Sequence, residues 1–165
     1  MLFRSYGVTS VVMGNCGFTL APCAEKDKSL VYSNLEMAEE ISRKAMDAGI
    51  PWSWETFPEF LDVVDKLPKG LNYASYVGHS SIRTYVMGQR AFTEAKATDD
   101  DMKAMSDQVR QAMRAGAIGF STSRHGSHLT AEGKPVASRI SDWSEVETRS
   151  EEHTSELQSR FGISY

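Results

Sequence analysis

Three short apolar segments separated by helical patterns constrain the fold of this chain most strongly. They span residues 8–13, 71–77 and 117–122, and each ends at once in glycine or small polar residues. Short apolar runs bounded by turn residues are typical of strands that are covered on both faces. Strands that alternate with helices indicate a parallel sheet, so the chain is predicted to have an α/β fold.

The intervening helical patterns have apolar residues at spacings of three and four. The first covers residues 33–48 and is stopped by Gly49, and a shorter one covers residues 58–67. The clearest covers residues 98–115 and begins with Thr98, a favourable N-cap residue. Three segments lack such patterns and are predicted to be loops, the last of them mobile or a lid: residues 18–28, 80–96 and 123–143.

Three strands are too few to close a sheet on itself. A complete α/β barrel needs about 200–250 residues, whereas this chain has 165. We therefore expect a partial barrel of the TIM type that is incomplete at both ends and has two open strand edges. The first strand follows Met1 almost directly, which is what a chain that begins inside a domain would show.

Composition and charge exclude several classes of function. The net charge of −4 gives no basic footprint for nucleic acid. No apolar run approaches the roughly 18–20 residues of a membrane span. The two cysteines are too few for the disulfide framework of a small secreted domain, which favours a cytoplasmic location. The sequence indicates no particular oligomeric state.

Residues 149–165 differ from the rest of the chain because they are polar and their few apolar residues follow no period. Residues 149–159 are, residue for residue, the translation of a sequencing-adapter oligonucleotide, and residues 160–165 continue it in the same frame. We therefore predict two parts, a folded domain of residues 1–148 and a non-native, disordered tail of residues 149–165. The tail is expected to pack on nothing and to form at best a frayed helix.

Polar and reactive residues directly follow the three predicted strands. Cys16 follows the first, His79 the second, and Ser123 and Arg124 the third. Because the carboxyl ends of parallel strands meet at one edge of a sheet, these residues are expected on the same rim, where α/β proteins build their sites.

Each of these residues has a functional and a purely structural interpretation. Cys16 is a zinc ligand or nucleophile, or else a small buried hydrophobe. His79 is a ligand, an acid, a hydrogen-bond donor behind the site, or a structural histidine. Arg124 binds a carboxylate or serves in an ion pair. His125 and His128 are three residues apart, but the loop composition around Gly126 disfavours a metal-binding pair.

Several of these segments resemble one family. Gly7 to Gly17, with its Gly-Asn-Cys-Gly run, resembles the metal-binding segment of the N-acyl-D-amino-acid deacylases, which are members of the metal-dependent amidohydrolase superfamily. Further segments fit that family in the same order, and together they cover nearly all of residues 3–147: residues 50–57, 77–88, 115–124 and 133–136.

The resemblance implies that residues 1–148 are part of an amidohydrolase-type barrel that uses zinc to hydrolyse the amide of an N-acylated D-amino acid. It implies Cys16 as a metal ligand, beside histidines and a proton-handling aspartate that have no matching positions in this chain. Substrate contacts are expected from His79, Ser123 and Arg124. The partner would be a small N-acylated amino acid, with no nucleic acid and no membrane.

Two alternatives stay open at this point. One is an amidohydrolase of cyclic amides, or a deaminase, from the same superfamily. The other is a truncated fragment with no activity of its own, because Cys16 is the only residue here that matches the metal site. The chain by itself is expected to be inactive.

Overall fold

A computed structural model describes residues 6–161, with side chains described to residue 152 and at residue 154. The strands are β1 (Ser10–Met13), β2 (Asn72–Gly78) and β3 (Gly119–Ser121). The helices are α1 (Lys28–Leu35), α2 (Arg43–Gly49), α3 (Phe57–Lys66), α4 (His79–Met87), α5 (Asp99–Ala115), α6 (Ala137–Ile140) and α7 (Trp143–Phe161). Short 3-10 turns lie at Asn15–Gly17, Glu25–Asp27 and Gly88–Phe92.

The strands form one parallel sheet in the order β1-β2-β3. Ser10 of β1 is in register with Asn72 of β2, and Tyr76 of β2 is in register with Gly119 of β3. The predicted α/β fold and its parallel strands are therefore confirmed. All three strands end at the same edge, which we call the strand-end rim: residues 14–17, residue 79 and residues 122–125.

The main core lies between the sheet and the helices α3, α4 and α5. It contains Phe57, Val77, Ile82, Met105 and Val109, each at most 1% exposed. The outer edge of β1 has no strand beside it among the described residues, and Val12 there is 50% exposed. This exposure agrees with the expectation of an open sheet edge.

Helix α5 forms where it was predicted because local hydrogen bonds fix its start. The Thr98 side chain accepts a hydrogen bond from the backbone N–H of Asp101, and the Asp101 carboxylate accepts one from the N–H of Thr98. This reciprocal capping satisfies amides that have no partner inside the helix. Helix α3 was predicted equally well and is capped in the same way, by Thr56 and Glu59.

The single helix predicted for residues 33–48 is wrong, because the chain forms α1 and α2 with a turn between them. The Ser42 hydroxyl accepts a hydrogen bond from the N–H of Ala45, and the Glu36 carboxylate accepts one from the N–H of Arg43. These side chains satisfy the free amides of a second helix start, which makes a break favourable. Glu40, in the turn, has a left-handed φ of 53°.

The loop predicted for residues 80–96 is also wrong, since helix α4 and a 3-10 turn occupy most of it. The apolar period is missing because hydroxyl groups are buried there. The Thr84 hydroxyl donates to the Ser80 carbonyl at 2.7 Å, and the Ser81 hydroxyl donates to the Thr19 carbonyl. Small polar residues that find partners in this way enter a core without an apolar pattern.

The predicted tail does not behave as expected over its first residues. Helix α7 continues through residue 149, and Arg149 is 0% exposed, with a hydrogen bond from its guanidinium to the Met102 carbonyl. Glu152 forms an ion pair with Arg110 at 2.7 Å. The prediction that this segment packs on nothing is therefore wrong for Arg149 and Glu152. Residues 162–165 lie outside the described part of the chain.

The segment predicted as a mobile loop or lid after β3 is anchored at its far end. Leu129 and Pro135 form an isolated antiparallel bridge, and Val136 and Ala137 are fully buried. A lid role stays a prediction. Across residues 6–161, no helix has both the length and the apolar character needed to cross a membrane.

Candidate functional site

A tight turn places Cys16 at the strand-end rim. Gly14 has φ 84° and Cys16 itself has φ 58°, both in the left-handed region. A side chain at Gly14 would put its Cβ 2.8 Å from the Tyr76 carbonyl oxygen, so only glycine allows this approach to β2. The turn presents the Cys16 thiol, which is exposed.

The same turn is bonded across to β3. The N–H of Gly17 donates to the Ser121 hydroxyl at 3.0 Å, and that hydroxyl donates to the Gly14 carbonyl. A Cβ added at Gly17 would lie 3.3 Å from the Cα of Thr122. The position of Cys16 is therefore set by the ends of two other strands, and the expectation that the three strand ends meet is confirmed.

The second cysteine has a different environment. Cys23 is 0% exposed, and burial together with Asp27 raises the pKa of its thiol to about 12. A thiol with such a pKa stays protonated at neutral pH and makes a poor metal ligand. Of the two cysteines, only Cys16 is accessible to a metal ion.

His79 begins α4 at the rim and is 0% exposed. Its Nδ1 lies 2.8 Å from the Thr122 hydroxyl, and its Nε2 lies 2.7 Å from a Glu145 carboxylate oxygen. Both ring nitrogens are therefore engaged. The other Glu145 oxygen accepts a hydrogen bond from the Arg83 guanidinium, which is also fully buried.

The charges of the buried side chains His79, Glu145 and Arg83 balance one another. Burial lowers the pKa of His79 below its ordinary value, which favours the neutral ring. Burial alone would raise the pKa of Glu145, but the hydrogen bonds from His79 and Arg83 and the positive charge of Arg83 outweigh it and lower that pKa. The carboxylate is thus ionised and paired with Arg83. Neutral His79 donates from Nε2 to Glu145 and accepts from the Thr122 hydroxyl at Nδ1.

Ser123, at the end of β3, belongs to a second polar cluster. Its hydroxyl lies 2.6 Å from Nδ1 of His128 and accepts a hydrogen bond from the N–H of His125. Its carbonyl accepts from the Ser138 hydroxyl at 3.0 Å. Ser123 is 8% exposed and serves mainly to fix the loop that follows it.

Arg124, the residue after Ser123, is exposed. Its guanidinium donates to the Ser141 carbonyl at 2.8 Å and lies 5.9 Å from the centre of the Trp143 ring. The structure therefore places the four predicted residues on one rim but does not join them in one network. Their roles toward a substrate stay predictions.

The metal site of a hydrolase is not complete within the described residues. No group of three histidine, cysteine, aspartate or glutamate side chains is placed to hold a metal ion in the part of the chain that the structure describes. His79 offers no free nitrogen. Cys16 is consequently the one residue of the predicted set with an accessible donor atom suited to zinc.

Sequence reasoning missed Glu145, and it missed the contact between Ser123 and His128. Glu145 lies 66 residues from His79 along the chain, and no local pattern marks a carboxylate as the partner of a buried histidine. The contact of His128 involves a shorter stretch of sequence, because Ser123 lies five residues before it in the same loop. Neither contact is visible without the tertiary structure.

No profile of a known protein family matches the chain. A D-aminoacylase from Alcaligenes xylosoxydans xylosoxydans is 40% identical to it over 120 residues, which make up 72% of this chain and 22% of that protein. A solved D-aminoacylase, described as defining a novel subset of amidohydrolases, matches the chain with a TM-score of 0.67 and 27% sequence identity. The match covers 93% of this chain and 28% of the solved chain. The homologues and structural neighbours of this chain are therefore D-aminoacylases and related deacylases.

The chain spans about a fifth of the length of the curated D-aminoacylase that it matches. A second solved structure shares the fold. It is an N-acyl-D-glutamate deacylase from Bordetella bronchiseptica, with zinc and a phosphonate mimic of the tetrahedral intermediate bound. The TM-score of this match is 0.64 at 24% sequence identity, and the match covers 92% of this chain and 27% of the deacylase chain.

Proposed function

We propose that the chain forms part of the barrel of a zinc-dependent hydrolase that cleaves the amide bond of N-acyl-D-amino acids, with Cys16 as a zinc ligand. The sequence similarity to a D-aminoacylase supports the reaction class. The three parallel strands support a partial barrel of the TIM type. A cytoplasmic location stays a prediction.

The observation that carries this proposal is the position of Cys16. The thiol is exposed at the carboxyl end of β1, in a turn that is bonded to the end of β3. The active sites of α/β barrels lie at this end of the sheet. An accessible thiol held there by backbone geometry is suited to bind a metal ion rather than to fill a core.

The described residues fit zinc only in part. A catalytic zinc normally takes three protein ligands and keeps one open position. Cys16 would supply one thiolate, and the other ligands would have to come from residues that the structure does not describe. When bound, zinc polarises a carbonyl group and lowers the pKa of its bound water.

The remaining rim residues would serve the substrate. We propose that Ser123 and Arg124 lie near the bound N-acyl amino acid, as predicted from their place after β3. His79 has no open side toward a ligand. We therefore assign it a positioning role, in which it holds the Thr122 hydroxyl and so the end of β3 against the Cys16 turn.

Cobalt binding tests the proposal because a thiolate bound to Co²⁺ gives a charge-transfer band in the near ultraviolet. Because the described residues supply one ligand, the 165-residue chain is expected to bind cobalt weakly and to show this band only with cobalt in large excess, and Cys16→Ser is expected to lose it. Cys23→Ser is the matched control and is expected to keep the band, since Cys23 is buried. A band of equal strength in Cys16→Ser would overturn the assignment.

A further inference from the structure

The segment between β3 and α6 crosses the surface of the molecule, and we call it the strap: residues 124–136. Its tip is a hairpin closed on itself, because Leu129 and Pro135 form an antiparallel bridge and the N–H of Thr130 donates to the Lys134 carbonyl at 2.7 Å. Residues 131–134 are exposed. The tip is therefore ordered by its own backbone, and its position on the molecule has to be fixed elsewhere.

The tip of the strap does not pack closely on the elements beside it. A cavity of about 300 Å³ lies between them. Residues of both sides line this cavity, among them Leu30, Ser33 and Phe92 on one side and Thr130, Glu132 and Lys134 on the other. A gap of this kind removes dispersion contacts from both of its walls. The strap therefore depends on its ends for attachment.

The far end of the strap is attached by two side chains from other helices. The Asn34 side-chain oxygen in α1 accepts a hydrogen bond from the N–H of Ala137 at 3.0 Å, and the Ser80 hydroxyl in α4 accepts one from the N–H of Ser138 at 3.2 Å. Both N–H groups lie in the first turn of α6, where no intrahelical acceptor exists. The apolar Val136 before them cannot cap them, so α1 and α4 supply the acceptors.

The Asn34 side chain is itself held in one orientation. It is 2% exposed, and its amide group donates to the Thr84 hydroxyl at 3.1 Å. The Thr84 hydroxyl donates in turn to the Ser80 carbonyl at 2.7 Å. A carboxamide accepts and donates at the same time, which an apolar side chain of similar size cannot do. Asn34 thus joins α6 to α4 as well as to its own helix.

Helix α6 connects this attachment to the strand-end rim. The Ser138 hydroxyl donates to the Ser123 carbonyl at 3.0 Å. The Ser141 hydroxyl donates to the Ser138 carbonyl at 2.9 Å, and the Arg124 guanidinium donates to the Ser141 carbonyl at 2.8 Å. The two rim residues after β3 are therefore held by the same short helix that Asn34 and Ser80 hold.

We propose that Asn34 and Ser80 are positioning residues, which latch the strap to the body of the molecule and so set the places of Ser123 and Arg124 at the strand-end rim. The strap opens as a unit when these two hydrogen bonds break, while the sheet stays folded. The importance of the latch for a substrate rests on the proposed function, whereas the latch itself needs neither metal nor substrate.

Amide hydrogen exchange of the 165-residue chain, resolved by nuclear magnetic resonance, tests the latch. Asn34→Ala and Ser80→Ala each leave a buried N–H of α6 without its acceptor. Each is expected to speed exchange at Thr130, Val136 and Arg139 about 10-fold or more. Each is also expected to move the backbone amide signals of Ser123 and Arg124. Ser80→Ala removes one oxygen atom only, so it decides the question if Asn34→Ala does not fold.

Val109→Ala is the control, because it weakens the core at a fully buried position of α5 without touching the latch. It is expected to speed exchange in β2 and α5 but to leave strap amides within about two-fold of the original chain. Strap amides unchanged in both latch variants would overturn the inference. So would strap amides that are accelerated equally by Val109→Ala, because the strap would then open only with the whole fold.

The cobalt experiment and the exchange experiment fail separately. If the strap responds as expected while Cys16→Ser keeps the cobalt band, the metal assignment fails and the latch stands. If Cys16→Ser loses the band while the latch variants leave the strap unchanged, the latch fails and the metal assignment stands.

Discussion

Glu145 balances the charge in the interior of the molecule. It is 1% exposed and contacts both Arg83 and His79, which are 0% exposed. A buried ion pair contributes little net free energy compared with apolar residues of the same volume. Removing one partner is different, because the other charge is then left in the interior without compensation.

We therefore expect Glu145→Ala to destabilise the fold by about 3–5 kcal/mol, since it leaves the Arg83 guanidinium buried and unpaired. That loss is a large part of the roughly 5–15 kcal/mol of a typical domain. Urea unfolding followed by circular dichroism measures it. Glu151→Ala, at an exposed position of the same helix, is the control and should change stability by less than about 0.5 kcal/mol. Equal effects of the two substitutions would refute the role of Glu145.

For single residues, the sequence predicted the place of a residue in the fold better than the residues that it contacts. Cys16 and Ser123 were expected at the ends of strands, and they lie there because turn residues mark strand ends locally. His79 was expected to face a substrate, but it is enclosed by Glu145 and Arg83 from distant parts of the chain. Burial of a histidine depends on such distant partners, so no local pattern predicts it.

Helix α7 shows how a poorly matched residue is accommodated by an element. Arg149 is fully buried, and its guanidinium has a hydrogen bond to the Met102 carbonyl and a weak contact with the Met102 sulfur. Its Nε has no hydrogen-bond partner among the side chains and backbone that the structure describes. Burial also lowers the pKa of its guanidinium. This position of the helix faces α5 and suits an apolar side chain.

We expect Arg149→Met to stabilise the fold by about 1–3 kcal/mol, because it removes a buried donor that has no acceptor. The midpoint of urea unfolding should rise with an unchanged slope. Glu151→Met puts the same side chain at an exposed position of α7 and should have little effect. A lower midpoint for Arg149→Met would show that the guanidinium contributes more through its bond to Met102 than its burial costs.

Elements were predicted well where local rules determine them. Helix α5 follows from its cap residue Thr98 and its apolar spacing, and all three strands were found within a few residues. Helix α4 was missed because its buried face consists largely of hydroxyl groups that find tertiary partners. The break between α1 and α2 was missed because the apolar spacing continues through the exposed Ile41.

At the scale of the whole chain, the described residues form a three-stranded parallel sheet with helices packed on it. The chain spans about a fifth of the length of a D-aminoacylase relative. Fold class was predictable because strands and helices alternate along the chain. The sequence predicted an incomplete metal site only through its resemblance to a metal-binding segment, in which Cys16 was the one residue that matched a metal ligand. The structure adds that no described histidine completes a three-residue metal group with it.

Hydrolysis of N-acetyl-D-methionine by the purified 165-residue chain, with zinc added and a Cys16→Ala variant beside it, tests the central claim most directly. The claim is that the chain contributes Cys16 to a zinc site whose other ligands lie outside the described residues. A catalytic zinc needs about three protein ligands, so neither protein is expected to turn over the substrate. Turnover by the original chain that disappears in Cys16→Ala would contradict the claim, because these residues would then hold a complete site.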